Sequence, residues 1–224
     1  MGLSVPLDLP SLIDHTVLRP DTVKADVLRV CEEARRFGFP VVYIPPCYVR
    51  ETVEALSDTA IRVGVPIGFP YGYQTTQSKV SEAVEACEQG VGELDMVLNI
   101  SRLKSGDVAA VRDDIAAVVK ATPGAGHKVI LETSYLSRLE KEVACKLVVD
   151  AGADYVKTST GFGPAGATIE DVRLMKEVVA GRAKVKAAGG IRDLKTTLAL
   201  LDAGADRIGT SASVAIMKEW LAKK

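Results

Sequence analysis

Histidine is nearly absent from this chain. The two that occur in 224 residues, His15 and His127, are too far apart to suggest the histidine-rich set that catalytic zinc uses. No Gly-x-Ser-x-Gly elbow is present, and no Walker A loop. Cysteine is scarce: Cys31, Cys47, Cys87 and Cys145 stand apart with no Cys-x-x-Cys pair. They read as reduced, mostly buried thiols rather than a disulfide framework. A formal charge of −1 leaves no basic field for nucleic acid and no acidic tail. No apolar run approaches a membrane span. The first residues, Met1–Pro6, lack the basic region and apolar core of a secretory signal, and Pro6 stands where a myristoylation motif needs serine or threonine. The expectation is a cytoplasmic protein with neither nucleic acid nor membrane as partner, and with no metal or cofactor.

What is present is an alternation. Short apolar runs near Ile13–Thr16, Val41–Ile44, Arg62–Ile67, Leu94–Asn99, Lys128–Thr133, Tyr155–Ser159, Val185–Ala188 and Arg207–Gly209 read as strands. Helical periodicity fills the intervals: Val80, Ala83, Val84 and Cys87 form one stripe, and Val108, Val111, Ile115, Val118 and Val119 another. Ser137–Glu140 is a capping box, with a close variant at Thr168–Asp171. Ala151-Gly152-Ala153-Asp154 and Ala203-Gly204-Ala205-Asp206 each end a helix and lead into a strand, with glycine supplying the left-handed residue. About eight such repeats with no linker point to the α/β class: a single domain over residues 1–224, folded as a closed parallel (β/α)8 barrel. The alternative, an open doubly wound sheet, lacks its Gly-x-Gly-x-x-Gly after the first strand.

Two strands carry lysine where an apolar residue is usual. Lys157 lies in Tyr155-Val156-Lys157-Thr158, and Lys186 in Val185-Lys186-Ala187-Ala188. Burial penalises an ammonium, and a second amine nearby adds repulsion; a lysine so placed loses its proton and becomes a nucleophile toward carbonyls. Lowering a lysine pKa from about 10.4 toward 7 takes roughly 4.6 kcal/mol. In a barrel, groups at the C-terminal ends of strands converge on one mouth. Asp95 and Asn99 share a face of the fourth strand, Lys157 and Ser159 of the sixth. Asp14 and Thr16 lie on the first strand, and Glu132 late on the fifth. Asp95 would keep a neighbouring lysine protonated, which suggests one neutral lysine as nucleophile, one charged lysine as proton carrier, and the acid as relay. The residues alone also allow each lysine to snorkel outward or to sit in a structural ion pair.

Glycine-rich loops follow the last three strands: Thr160-Gly161-Phe162-Gly163, Ala188-Gly189-Gly190-Ile191-Arg192 and Gly209-Thr210-Ser211. The loops after strands seven and eight form the recurrent phosphate site of such barrels, their backbone N–H groups facing the anion. Tight turns would need the same glycines. His15 reads as a packed or hydrogen-bonded residue and Cys47 as a helix-start residue; Tyr71 and Tyr73 could line the mouth or merely cover a core.

Ile13-Asp14-His15-Thr16, Glu93-Leu94-Asp95-Met96-Val97, Lys128-Val129-Ile130-Leu131-Glu132-Thr133, Val156-Lys157-Thr158-Ser159-Thr160-Gly161 and Val185-Lys186-Ala187-Ala188-Gly189-Gly190 occur in an order that resembles the 2-deoxyribose-5-phosphate aldolase family across nearly the whole chain. The resemblance implies a TIM barrel and a metal-independent class I aldolase. Such an enzyme would interconvert 2-deoxy-D-ribose 5-phosphate with D-glyceraldehyde 3-phosphate and acetaldehyde. It further implies Lys157 as the Schiff-base lysine, and Asp95 with Lys186 as the proton-transfer pair. Gly189, Gly190, Gly209 and Ser211 correspond to the phosphate site, with Thr160 and Gly161 beside the sugar and Asp14 and Thr16 also against substrate. Homodimers are frequent among such relatives. One departure stands out: many relatives have cysteine where this chain has Tyr43, a change expected to alter the mouth or the response to reactive aldehydes. Another phosphosugar lyase or isomerase, or a silent phosphosugar-binding barrel, is the competing reading.

Overall fold

The computed structural model describes residues 7–223; the N-terminal Met1–Pro6, read above for targeting signals, lies outside them. Eight parallel strands close into a barrel in sequence order. They are β1 (Ile13–Thr16), β2 (Val41–Tyr43), β3 (Arg62–Ile67), β4 (Glu93–Val97), β5 (Gly126–Ile130), β6 (Tyr155–Lys157), β7 (Lys184–Ala188) and β8 (Arg207–Thr210). The helices are α1 (Lys24–Phe37), α2 (Val49–Ala55), α3 (Thr76–Glu88), α4 (Ile100–Lys104), α5 (Val108–Ala121), α6 (Arg138–Asp150), α7 (Ile169–Val179), α8 (Leu194–Asp202) and α9 (Ser213–Leu221). This is the single-domain (β/α)8 architecture that the alternation predicts.

The strands read in twos. Leu94 and Met96 on β4, Val156 on β6, and Val185 and Ala187 on β7 belong to the buried apolar core packed with Val27, Ala34, Val111, Ile115 and Met175 from the helices. Burying each of the valine-, leucine-, isoleucine- or methionine-sized side chains contributes about 1.5–3 kcal/mol, so the layer between barrel and helices is a main source of stability. The alternate residues face the barrel axis, because they bond across it: Lys128 of β5 reaches Tyr43 of β2, and Lys186 of β7 reaches Asp95 of β4. Barrels commonly fill that axis with branched aliphatics. Here the axis holds ionisable groups.

Local signals hold where they have a physical cause. The Ser137 hydroxyl accepts from Glu140 N, and the Glu140 carboxylate accepts from Ser137 N in return. Gly152 and Gly204, closing α6 and α8, stand at φ 82° and 111°, as a left-handed turn requires. The α3 stripe is rotated from the sequence reading: Lys79, Ala83 and Ala86 are buried, while Val80, Val84 and Cys87 are half-buried. The strands also end earlier than the apolar runs. Asn99 leaves the sheet to cap α4, accepting from Arg102 N, so it does not share the Asp95 face. Cys31 and Cys145 are buried, Cys87 is half-buried and Cys47 is exposed.

Candidate active site

Parallel pairing of β6 with β7 sets Lys157 directly beside Lys186. Both ammonium nitrogens converge on one oxygen: Asp95 Oδ2 accepts from Lys157 Nζ at 2.6 Å and from Lys186 Nζ at 2.7 Å. All three side chains are enclosed, Lys157 being 5% exposed, Lys186 1% and Asp95 0%. Asp14 of β1 stands on the far side of Lys186, with Oδ2 2.6 Å from Nζ, while its Oδ1 accepts from Arg207 Nε of β8 at 2.9 Å. Below them Lys128 binds Glu93 and donates to the Tyr43 hydroxyl at 2.8 Å.

The charges along this axis do not balance. Lys128, Lys157, Lys186 and Arg207 face Asp14, Glu93 and Asp95. If one amine is neutral, four potential cations meet three anions evenly. Lys128 has Glu93, Arg207 has Asp14, and Lys186 has both Asp14 and Asp95; Lys157 has Asp95, through an oxygen that it shares with Lys186. Burial lowers its pKa most, Asp95 works against that, and the Lys186 charge lowers it further, to about 8. Burial by itself would raise Asp95, but the ammonium groups of Lys157, Lys186 and Lys128 overcome it and hold that carboxyl well below the usual range. Burial likewise opposes ionisation of Asp14, and Lys186, Lys128 and Arg207 outweigh it.

Lys157 opens upward into a pocket of about 330 Å³ at the C-terminal mouth of the barrel. Thr16, Thr160, Gly161, Gly189, Gly190, Gly209 and Ser211 line it, as the sequence reading expects, together with Arg19 and Arg192, which that reading did not single out. Gly189 and Gly190 adopt φ 87° and 74°, a backbone that side-chain-bearing residues rarely take. The pocket therefore meets a polar loop with the bare main chain an oxyanion needs. Gly209 has a second duty: a Cβ there would lie 2.9 Å from Lys186 Cε.

Several residues fall elsewhere than expected. Asp14 is 0% exposed and is a counter-ion beneath the pocket rather than part of its wall. Glu132 has left the strand at φ 52° and turns to the Thr160 loop, accepting from Thr160 N at 3.1 Å and from its hydroxyl. Ser159 is buried, following the end of β6. Tyr43 does not shape the mouth, since it is 1% exposed within the barrel. Tyr71 and Tyr73 stack on each other at the surface, their ring centroids 5.4 Å apart. His15 is held by Ser213 at 2.9 Å and Glu33 at 2.7 Å, a packed residue as expected. The sequence reading missed Glu93, Lys128 and Arg207, although each stands two residues from another inward-facing position on its strand.

An eight-stranded barrel with paired lysines under a small polar mouth is an arrangement suited to carbonyl chemistry. A family model described as DeoC/LacD family aldolase matches residues 10–218. A deoxyribose-phosphate aldolase of Caldanaerobacter subterraneus subsp. tengcongensis is 52% identical over 217 residues, covering 96% of this chain and 94% of that protein. Among solved structures, the aldolase QR15 superimposes with a TM-score of 0.92 at 42% identity, covering 97% of both chains. A deoxyribose phosphate aldolase from Aeropyrum pernix, described as tetrameric, gives 0.90 at 32% identity, covering 97% of this chain and 92% of that one. The chain belongs to the DeoC/LacD family of aldolases.

Proposed function

We propose that this enzyme is a class I aldolase that reversibly cleaves 2-deoxy-D-ribose 5-phosphate to D-glyceraldehyde 3-phosphate and acetaldehyde, with Lys157 as the Schiff-base lysine. One observation carries the assignment: two buried lysines share a single carboxylate oxygen, and of the two only Lys157 also lines the pocket. Neutral Lys157 attacks the C1 aldehyde, and the carbinolamine hydroxyl takes up a proton and leaves as water, giving an iminium; the closing hydrolysis returns that proton. The iminium withdraws electrons, so the C2–C3 bond breaks toward it, giving the enamine of acetaldehyde as the C3 hydroxyl becomes the aldehyde of glyceraldehyde 3-phosphate. We assign acceptance of that hydroxyl proton to Asp95, acting through a water. Among the described residues its Oδ1 has no hydrogen-bond partner. Lys186 returns a proton toward the enamine carbon, and water then hydrolyses the acetaldehyde iminium to free Lys157. Gly189, Gly190, Gly209 and Ser211 would receive the phosphate, with Thr160, Gly161 and Thr16 beside the sugar and Asp14 serving through Lys186.

Two measurements test this reading. Deoxyribose 5-phosphate should release glyceraldehyde 3-phosphate in a coupled assay, and borohydride with acetaldehyde should add two carbons to Lys157. An adduct on Lys186, or no adduct, overturns the assignment. For the setting of the reaction, four free thiols agree with the cytoplasm, and no described helix is long and apolar enough to cross a membrane. A homodimer is the proposed assembly, and light scattering decides between it and the tetramer described for the Aeropyrum relative.

A further inference from the structure

Beneath the two lysines lies one aromatic ring that the chemistry above does not use. Tyr43 of β2 is enclosed, and its ring centroid is 3.8 Å from Lys186 Nζ, 5.3 Å from Lys128 Nζ and 5.8 Å from Lys157 Nζ. A ring face attracts a cation most strongly when the nitrogen sits close over it and water is excluded. Lys186 meets both conditions, whereas Lys157 is at the outer limit of the contact. The ring therefore distinguishes two amines that otherwise compete for the same Asp95 oxygen.

The ring is held in that place from two sides. Its hydroxyl accepts from Lys128 Nζ at 2.8 Å and lies 3.3 Å from Glu93 Oε2. Its flank lies over Gly64, the residue paired with Tyr43 on β3. A Cβ at position 64 would stand 2.7 Å from ring atoms Cε1 and Cζ, closer than real Cβ contacts allow. A large residue on β2 and the absence of any side chain on β3 thus fit one another.

We propose that Tyr43 is a positioning residue whose ring keeps the positive charge on Lys186 rather than on Lys157. The proposal rests on the reading of Lys157 as the nucleophile and deepens it. A fixed charge on Lys186 repels a proton from Lys157, complementing the effect of burial. Asp14, Glu93, Asp95, Lys128 and Arg207 also face this space, and the Glu132 carboxylate stands near Lys157. A substitution at residue 43 changes the identity of none of these groups, though it removes the hydroxyl contact to Lys128 and Glu93.

The test is the pH dependence of kcat/KM for deoxyribose 5-phosphate cleavage, measured alongside borohydride labelling with acetaldehyde. Tyr43→Leu removes the ring and should move the acid limb upward by about one pH unit. Tyr43→Phe keeps the ring and drops the hydroxyl, and should leave the limb within about 0.3 unit of the parent. Gly64→Ala changes no titratable group but displaces the ring, so it should shift the limb in the same direction by less. That variant keeps the test open should Tyr43→Leu fail to fold. An unmoved limb in Tyr43→Leu, or in Gly64→Ala when the leucine variant does not fold, overturns the proposal. An equal shift in Tyr43→Phe overturns it too, by transferring the effect to the hydroxyl. Labelling separates the two readings. If the parent enzyme is not labelled at Lys157, the nucleophile assignment fails; if it is labelled there and the limb does not move, the role of Tyr43 fails alone.

Discussion

Lys79 and Lys157 are both buried lysines with a carboxylate oxygen 2.6 Å from the nitrogen, yet they stand in different parts of the molecule. Lys79 lies on α3, outside the barrel, with Asp114 of α5 and the Val97 carbonyl as partners. Thr76 donates to the other oxygen of Asp114 at 2.8 Å, so the pair is complete. Burial lowers the Lys79 pKa and Asp114 opposes it. Even the accommodation is alike: a Cβ at Gly68 would lie 2.9 Å from Lys79 Cε, as one at Gly209 would from Lys186 Cε. Burial of a lysine therefore does not mark chemistry. The difference is a second ammonium on the same carboxylate, which Lys157 and Lys186 share, and an opening to a pocket, which Lys157 has.

The largest expected effect comes from removing the reactive amine. Lys157→Leu should reduce turnover by at least about 10⁴-fold, with binding of inorganic phosphate to the apo enzyme largely retained; substantial residual turnover would end the comparison. Lys186→Leu should slow the reaction by about 10²–10⁴-fold, the range of a lost proton carrier. It should also move the acid limb upward, because the charge that repels a proton from Lys157 is gone. In the parent enzyme that limb should centre near pH 8, as set by Lys157, so kcat/KM should rise about tenfold from pH 7 to pH 9. An unchanged profile in the leucine variant would contradict the role of Lys186. By contrast, Lys79→Met should leave activity per folded molecule unchanged while destabilising the protein by about 3–5 kcal/mol, read by urea denaturation, because Asp114 remains buried.

This contrast marks what sequence could show. The barrel was legible because each repeat carries its own physics, such as the reciprocal cap at Ser137 and Glu140 and the glycine before β6. Lys157 and Lys186 stand out because a lysine directly after a valine is unusual within a short apolar strand. Lys79 gave no such signal, since lysine at the polar edge of a helical stripe is ordinary, and only the packing of α3 on α5 turns it inward. Lys128 and Glu93 were hidden for another reason. Glu93 opens β4 and Lys128 is the middle residue of β5, so the two meet through the pairing of neighbouring strands rather than through spacing along the chain. Asn99 and Glu132 do not extend the strand faces on which the sequence reading puts them, because β4 ends at Val97 and β5 at Ile130.

The smaller effects concern stability. A lysine whose folded pKa lies below its unfolded one is destabilising while charged in the unfolded chain. The cost is full below the folded pKa, near 8 for Lys157, and fades as pH approaches its ordinary value of 10.5. Lys157→Leu should accordingly raise stability at pH 7 by about 2 kcal/mol, the shift giving a larger ceiling from which the lost contact with Asp95 is subtracted. The gain should vanish toward pH 10.5, whereas a pH-independent gain would mean packing alone was responsible. The helix pair has a different logic. Replacing both of its members, Lys79→Met with Asp114→Leu, removes two desolvated charges together, and the double variant should recover most of the single variant's loss, within about 1 kcal/mol of the parent. The double replacement of Lys157 and Asp95 offers no such recovery of function, because the nucleophilic amine itself is gone. If the Lys79 cycle shows no coupling, the ion pair between α3 and α5 is not the structural counterpart that its geometry makes it.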